Sequence, residues 1–133
     1  MEEAAAQLKE QGNQEVKAQN FRLAIEHYSK AIDHMLTGES FESRLLAELL
    51  GNRCLCHMRL GRYDLALPDA KEAVQADSSY AKGFYRLALC QKELSDLAGA
   101  WENAMRAAKL QPENLEVQAL QETIHRMEGG AEA

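Results

Sequence analysis

Lys9 and Asn13 lie four residues apart, as do Lys82 and Arg86, and Asn52 stands between the two pairs. Four-residue spacing puts each pair on one helical face, where both side chains can reach a single ligand. Three cations and two amides form a donor-rich set suited to an anion with several acceptor oxygens. Such an anion accepts charge-assisted hydrogen bonds, which are about twice as strong as neutral ones. The asparagines would supply directional donors without adding repulsion between the lysines.

Other reactive residue types do not assemble into a site. Cys54 and Cys56, two apart on a helix, point about 200° away from each other, so they cannot chelate one zinc ion. His27 and His34 are seven apart on one helix, beyond the reach of one small metal ion. His57 and His125 have no nucleophile or carboxylate partner that the sequence identifies, and no phosphate-binding glycine loop is present. The expectation is a binding module with no catalytic residues, no metal and no cofactor.

The five donors converge only if the intervening chain brings three segments together. The 133 residues allow one domain or one short repeat array. Alanine supplies 21 residues and leucine 18, whereas valine, isoleucine and threonine together supply 8. Unbranched side chains lose little rotamer freedom in a helix, and the β-branched residues that suit strands are scarce, so the fold class is all-α. With eight aromatics among so many alanines, the core must come from closely approaching helices.

A net charge of −6 argues against nucleic acid as the main partner. No run of 18 apolar residues exists to span a bilayer, which predicts no membrane partner. The start, Met1-Glu2-Glu3-Ala4, lacks the basic and apolar regions of a signal peptide. Three cysteines are an odd number for a disulfide framework and suit a reducing compartment. A cytoplasmic protein is expected, with the nucleus as an alternative.

Internal repetition supplies the missing organisation. Ala66 and Ala73 recur as Ala100 and Ala107 at an offset of 34, which also carries Asn52 onto Arg86, Tyr63 onto Leu97 and Ser78 onto Pro112. A third copy, Ala24 and Ala31, precedes these at a distance of 42, so the first unit carries eight extra residues. A period in this range signals stacked supersecondary units. Apolar spacing predicts helices at about 3–18, 21–36, 43–60, 63–76, 80–94, 97–110 and 114–128. The last, with Val117, Leu120, Ile124 and Met127 on one face and Gln118, Gln121, Glu122 and Arg126 turned outward, reads as a capping helix. Residues 129–133 read as a frayed tail.

The extra residues lie between Ala31 and Asn52. Eight residues are about two helical turns, so one added turn on each of two antiparallel helices, connected through Thr37-Gly38-Glu39-Ser40, would preserve pairing. A mobile loop over 37–44 is the alternative. Pro68 falls inside a predicted helix, where it removes the bond to the Asp64 carbonyl, and predicts a bend or a late helix start.

These features resemble the tetratricopeptide repeat, a 34-residue helix-turn-helix with small residues where paired helices touch. Gly12, Gly61, Ala24, Ala66, Ala100 and Pro112 fall where that family places such residues. The resemblance covers roughly residues 5–112 and implies a right-handed α-solenoid over 1–128, with repeats at about 5–46, 47–80 and 81–114 and the capping helix after them. Glu15 and Gln91 stand where the family usually has a large apolar side chain, and Ser78 where it has proline.

Within the family, Lys9-Glu10-Gln11-Gly12-Asn13, Gly51-Asn52-Arg53 and Lys82-Gly83-Phe84-Tyr85-Arg86 are similar to the carboxylate clamp of co-chaperones. The resemblance implies that Lys9, Asn13, Asn52 and Lys82 hold the two carboxylates of a terminal aspartate. Arg86 would reach the backbone or an upstream acidic side chain. The implied partners are the Glu-Glu-Val-Asp tails of ninety- and seventy-kilodalton heat-shock chaperones, bound by a monomer. Arg53, Arg59, Arg62 and Lys92 have no place in this motif and read as surface charges. The competing reading is a scaffold that holds a different protein, or another copy of itself, with the clamp residues unused.

Overall fold

The computed structural model describes residues 2–38 and 42–132, which form seven helices. They are α1 (Glu2–Lys17), α2 (Phe21–Thr37), α3 (Ser43–Arg59), α4 (Tyr63–Ala76), α5 (Ala81–Glu93), α6 (Leu97–Leu110) and α7 (Leu115–Glu132). Each helix packs on the next in chain order; in addition α1 touches α3, α3 touches α5 and α5 touches α7. No such contact links α2 with α4 or α4 with α6 among the described residues. The stack therefore curves, with the first helix of each pair on the inner side and the second on the outer side.

Alanine sets the spacing. Ala24 and Ala31 of α2, Ala66, Ala70 and Ala73 of α4, and Ala100, Ala104 and Ala107 of α6 are all fully buried, as are Ala5, Ala47 and Ala88 opposite them. Side chains of one carbon let helix axes approach closely, and the remaining space is filled by Tyr28, Leu49, Val117 and Ile124. Gly12 carries this furthest. A Cβ built there would lie 2.5 Å from Cε1 of the buried Tyr28 ring, so only glycine leaves room for that ring against α1.

The turn inside each pair repeats one geometry. Gln19, Gly61 and Ser95 have φ of 63°, 74° and 68°, and the amide that follows each of them donates to the carbonyl five residues back, at 2.8 Å in all three turns. This is the left-handed helix stop in which glycine is the residue without strain. Gly61 meets that requirement, whereas Gln19 and Ser95 adopt it against their preference. Between pairs the chain closes a different turn, with Tyr80 N–H donating to Asp77 O and Asn114 N–H to Gln111 O, both at 3.1 Å. Ser78 thus makes the same turn as Pro112 without the ring.

The eight extra residues of the first unit are mostly helix. Helices α2 and α3 each have 17 residues, against 14 in α4 and 13 in α5, so seven of the eight lengthen the pair. Thr37, Ser43 and Arg44 are helical, which excludes a loop over all of 37–44; residues 39–41 lie outside the described residues. Helix α4 begins at Tyr63 and continues through Pro68, so the expected late start is not found. Pro68 and Asp64 are both exposed, four residues apart, which leaves the freed carbonyl on the side that water can reach. The α7 backbone stays helical to Glu132, beyond the expected end at 128.

Two sequence departures are compensated locally. Gln91 accepts a 2.8 Å bond from Nδ2 of the buried Asn103, and Glu15 accepts one of 3.0 Å from Asn20 Nδ2. Arg53 corrects the expectation of a surface charge. Its Nε and Nη2 donate to the two carboxylate oxygens of buried Asp69 at 2.8 and 2.7 Å, and its Nη1 donates to Ser29 Oγ at 3.2 Å. One guanidinium thereby ties α3 to α4 and α2. His57 Nε2 lies 3.8 Å from the same carboxylate; burial nonetheless lowers its pKa, with Asp69 opposing that shift.

Replacing Gly12 by alanine should destabilise the domain by about 1–2 kcal/mol, the overpacking cost less the gain in helix propensity. Ser95→Gly should stabilise it by about 1 kcal/mol through relief of the left-handed strain. Urea denaturation midpoints for the two variants test both signs; equal midpoints would contradict the packing and turn assignments.

Candidate functional site

The inner surface of α1, α3 and α5 brings four of the five expected donors to one cavity of about 380 Å³. Lys9, Asn13, Asn52 and Lys82 line it, together with Arg44, Glu48, Ser79, Tyr80 and Gln111. Arg86 lines the adjoining pocket, which shares Lys82 with the first and has Leu55, Met58, Tyr85 and Leu89 in its wall. The two pockets form one groove along the first helices of the pairs, with the fifth donor one turn beyond Lys82.

Repeat geometry explains the convergence. Asn52 and Arg86 are 34 residues apart and occupy the same phase of neighbouring helices. The result is a chain of hydrogen bonds across three helices. Arg86 Nη1 donates to Asn52 Oδ1 at 3.3 Å, and Asn52 Nδ2 donates to Asn13 Oδ1 at 3.4 Å. Asn13 Oδ1 also accepts from Tyr28 Oη at 2.6 Å. Burial raises the Tyr28 pKa far above its ordinary value, so the phenol keeps its proton and donates.

This network has a direction. Both amide oxygens are occupied by internal donors, so the asparagines offer the groove N–H groups. Arg86 also donates to Tyr80 Oη at 3.4 Å. Gly51 makes this approach possible, because a Cβ there would lie 2.9 Å from Tyr80 Oη and 3.1 Å from Arg86 Nη1. Among the described residues, neither Lys82 nor Arg86 has a carboxylate within ion-pair distance, whereas Lys9 Nζ lies 3.0 Å from Glu48 Oε1.

Glu48, Arg44 and Tyr80 are among the groove residues that sequence reasoning missed, as are Ser79, Gln111 and, beside Arg86, Arg59 and Glu116. Arg44 Nη1 reaches Asp77 at 3.2 Å and its Nε lies 3.8 Å from Glu48. Its guanidinium carbon sits 4.8 Å from the Tyr80 ring centre, in a cation–π arrangement. Asp77 is held below the usual carboxylate range by hydrogen bonds from Ser79 and by Arg44. A signal for two of them existed, since Arg44, Glu48 and Asn52 recur every four residues on one face of α3.

The remaining candidates stay apart from this groove. Cys54 and Cys56 are buried on different sides of α3, and Cys54 Sγ lies 3.9 Å from Cys90 Sγ. Burial pushes the Cys56 thiol up to about 11, with Arg86 opposing. Among the described residues no three of His, Cys, Asp and Glu cluster to hold a metal ion, and no helix is long and apolar enough to cross a membrane.

No family model matches the chain. Protein unc-45 homolog B of Mus musculus is 36% identical over 126 residues, which are 95% of this chain and 13% of that protein. The chain thus spans about an eighth of the length of this relative. The first tetratricopeptide-repeat domain of Spaghetti (RPAP3), solved with the HSP90 peptide SRMEEVD, superposes with a TM-score of 0.87 at 26% identity, over 97% of this chain and 96% of that one. The Hsp90 co-chaperone Cns1 of Saccharomyces cerevisiae gives a TM-score of 0.86 at 29% identity, over 98% of this chain and 41% of that one. Three alanine-spaced helix pairs closed by a seventh helix, shared along nearly their whole length with such domains, make this chain a tetratricopeptide-repeat domain of the co-chaperone type.

Proposed function

We propose that the groove captures the acidic C-terminal tail of a heat-shock chaperone, of the Glu-Glu-Val-Asp kind, through a clamp formed by Lys9, Asn13, Asn52, Lys82 and Arg86. The observation that carries this reading is the pair of cations, Lys82 and Arg86, that face the groove without a carboxylate partner among the described residues, beside two asparagines whose oxygens are already used. A half-buried guanidinium held by neutral groups alone is short of an anion. A peptide terminus supplies one and removes little of the existing hydrogen bonding. The peptide bound to the Spaghetti domain ends in the same four residues, which supports this choice of tail.

The clamp acts by preorganisation. Its donors come from three helices whose spacing is fixed by buried alanines, so little ordering of the protein accompanies binding. The peptide must be ordered, and that entropy offsets part of the charge-assisted bonding. A dissociation constant in the micromolar range, about −8 kcal/mol, is expected. The domain would therefore serve as an interaction adaptor that recruits whatever it is joined to.

Isothermal titration with a free-acid heptapeptide ending in Glu-Glu-Val-Asp and with its C-terminal amide tests the reading. The amide should bind at least about tenfold more weakly, and Lys82→Ala or Arg86→Ala should each cost about 2–5 kcal/mol while the helical circular dichroism is retained. Binding that survives both amidation and the double substitution would point instead to a scaffold using another surface.

A further inference from the structure

Two rungs cross the inner surface. Asn13, Asn52 and Arg86 form one, and one helical turn earlier along the same three helices stand Lys9, Glu48 and Lys82, with the same separations of 39 and 34 residues. The centre of the second rung is a carboxylate. Glu48 lines the cavity between the two lysines and binds Lys9 at 3.0 Å, with both side chains about a quarter to a third exposed. The groove already contains an anion of the type it is proposed to bind.

From this placement we infer that Glu48 sets the selectivity of the site by filling the Lys9 half of the clamp from within, so that a ligand needs only one terminal carboxylate. The inference rests on the clamp reading above. A tail ending in aspartate brings a second carboxylate, and for that group to reach Lys9 it must displace Glu48. The exchange replaces one carboxylate on Lys9 by another and gains little. A tail ending in a neutral residue leaves the Lys9–Glu48 pair intact and places its single carboxylate among Asn13, Asn52 and Lys82.

Displacement itself is inexpensive, because Arg44 Nε lies 3.8 Å from the Glu48 carboxylate and is held in place by Asp77 and Tyr80. Glu48 therefore has a second cation when it leaves Lys9. The internal pair is partly exposed, so its effect on affinity is modest, of the order that partly solvated ion pairs contribute. Aspartate-terminated tails remain ligands, and the preference for them over neutral termini is what Glu48 reduces.

The test measures dissociation constants for two free-acid peptides, one ending in Glu-Glu-Val-Asp and one in Glu-Glu-Val-Asn, against wild type, Glu48→Gln, Lys9→Met and the combined variant. Wild type should prefer the aspartate peptide by no more than about threefold, and Glu48→Gln should widen that preference by about three- to fivefold. With Lys9→Met already present, Glu48→Gln should widen it no further, which separates competition for Lys9 from a general change of charge. A preference that Glu48→Gln leaves unchanged within about twofold, or widens equally without Lys9, overturns the inference while tail binding stands. If the free acids bind no better than their amides in any variant, the clamp reading itself falls and takes the inference with it.

Discussion

The close contact of alanine faces between paired helices is the constraint on which the rest of this structure depends. With Ala24, Ala31, Ala66, Ala73, Ala100 and Ala107 fully buried at recurring phases, each pair adopts one spacing and one relative rotation, and the stack inherits a regular curve. Regularity is what turns sequence offsets into spatial neighbours. Asn52 and Arg86, 34 residues apart, meet at 3.3 Å because the helices that carry them repeat the same contacts. A larger residue at one of these positions would change the axis spacing and break the rung, even though none of them touches the groove.

Most of the fold was legible in the sequence for the same reason. A 34-residue recurrence of small residues is a pattern of long range and low noise, and every predicted helix is present with ends shifted by only a few residues at most. The eight-residue insertion could be placed but not assigned, since Leu45, Leu46, Leu49 and Leu50 suit an early helix start while Gly38 interrupts. The structure uses seven of the eight to lengthen α2 and α3. Pro68 does not delay the start of α4, because on an exposed face the lost bond does not stop the helix.

The groove was legible only as to its donors. Lys9, Asn13, Asn52, Lys82 and Arg86 stand out because the repeat phase gives each a defined direction. Arg53 and Glu48 did not stand out, for a common physical reason. The role of a charged residue on a helix is set by its partner on another helix, and single-chain spacing does not name that partner. Arg53, one residue past Asn52, points about 100° away from it and meets Asp69 on α4. Glu48, one turn before Asn52, points the same way as Asn52 and meets Lys9 on α1.

The overall charge of −6 and a donor-lined groove coexist because binding depends on local field, not on the total. Of the groove cations, Lys9 and Arg44 are paired with carboxylates, whereas among the described residues Arg59, Lys82 and Arg86 are not. Exposed acidic residues farther from the groove than a Debye length, roughly 8 Å at physiological salt, are largely screened from it, and the carboxylates that matter are those at the groove itself, Glu48, Asp77 and Glu116. The hydrogen-bond network adds a second layer of selection. Tyr28 and Arg86 consume the amide oxygens of Asn13 and Asn52, which leaves N–H groups and cations facing the cavity. A surface that offers donors and has its own acceptors occupied is poorly suited to a cation or to a neutral donor. It suits the compact anion proposed as the ligand, and on the proposal above the Lys9–Glu48 pair lowers the advantage of a second charge on that anion.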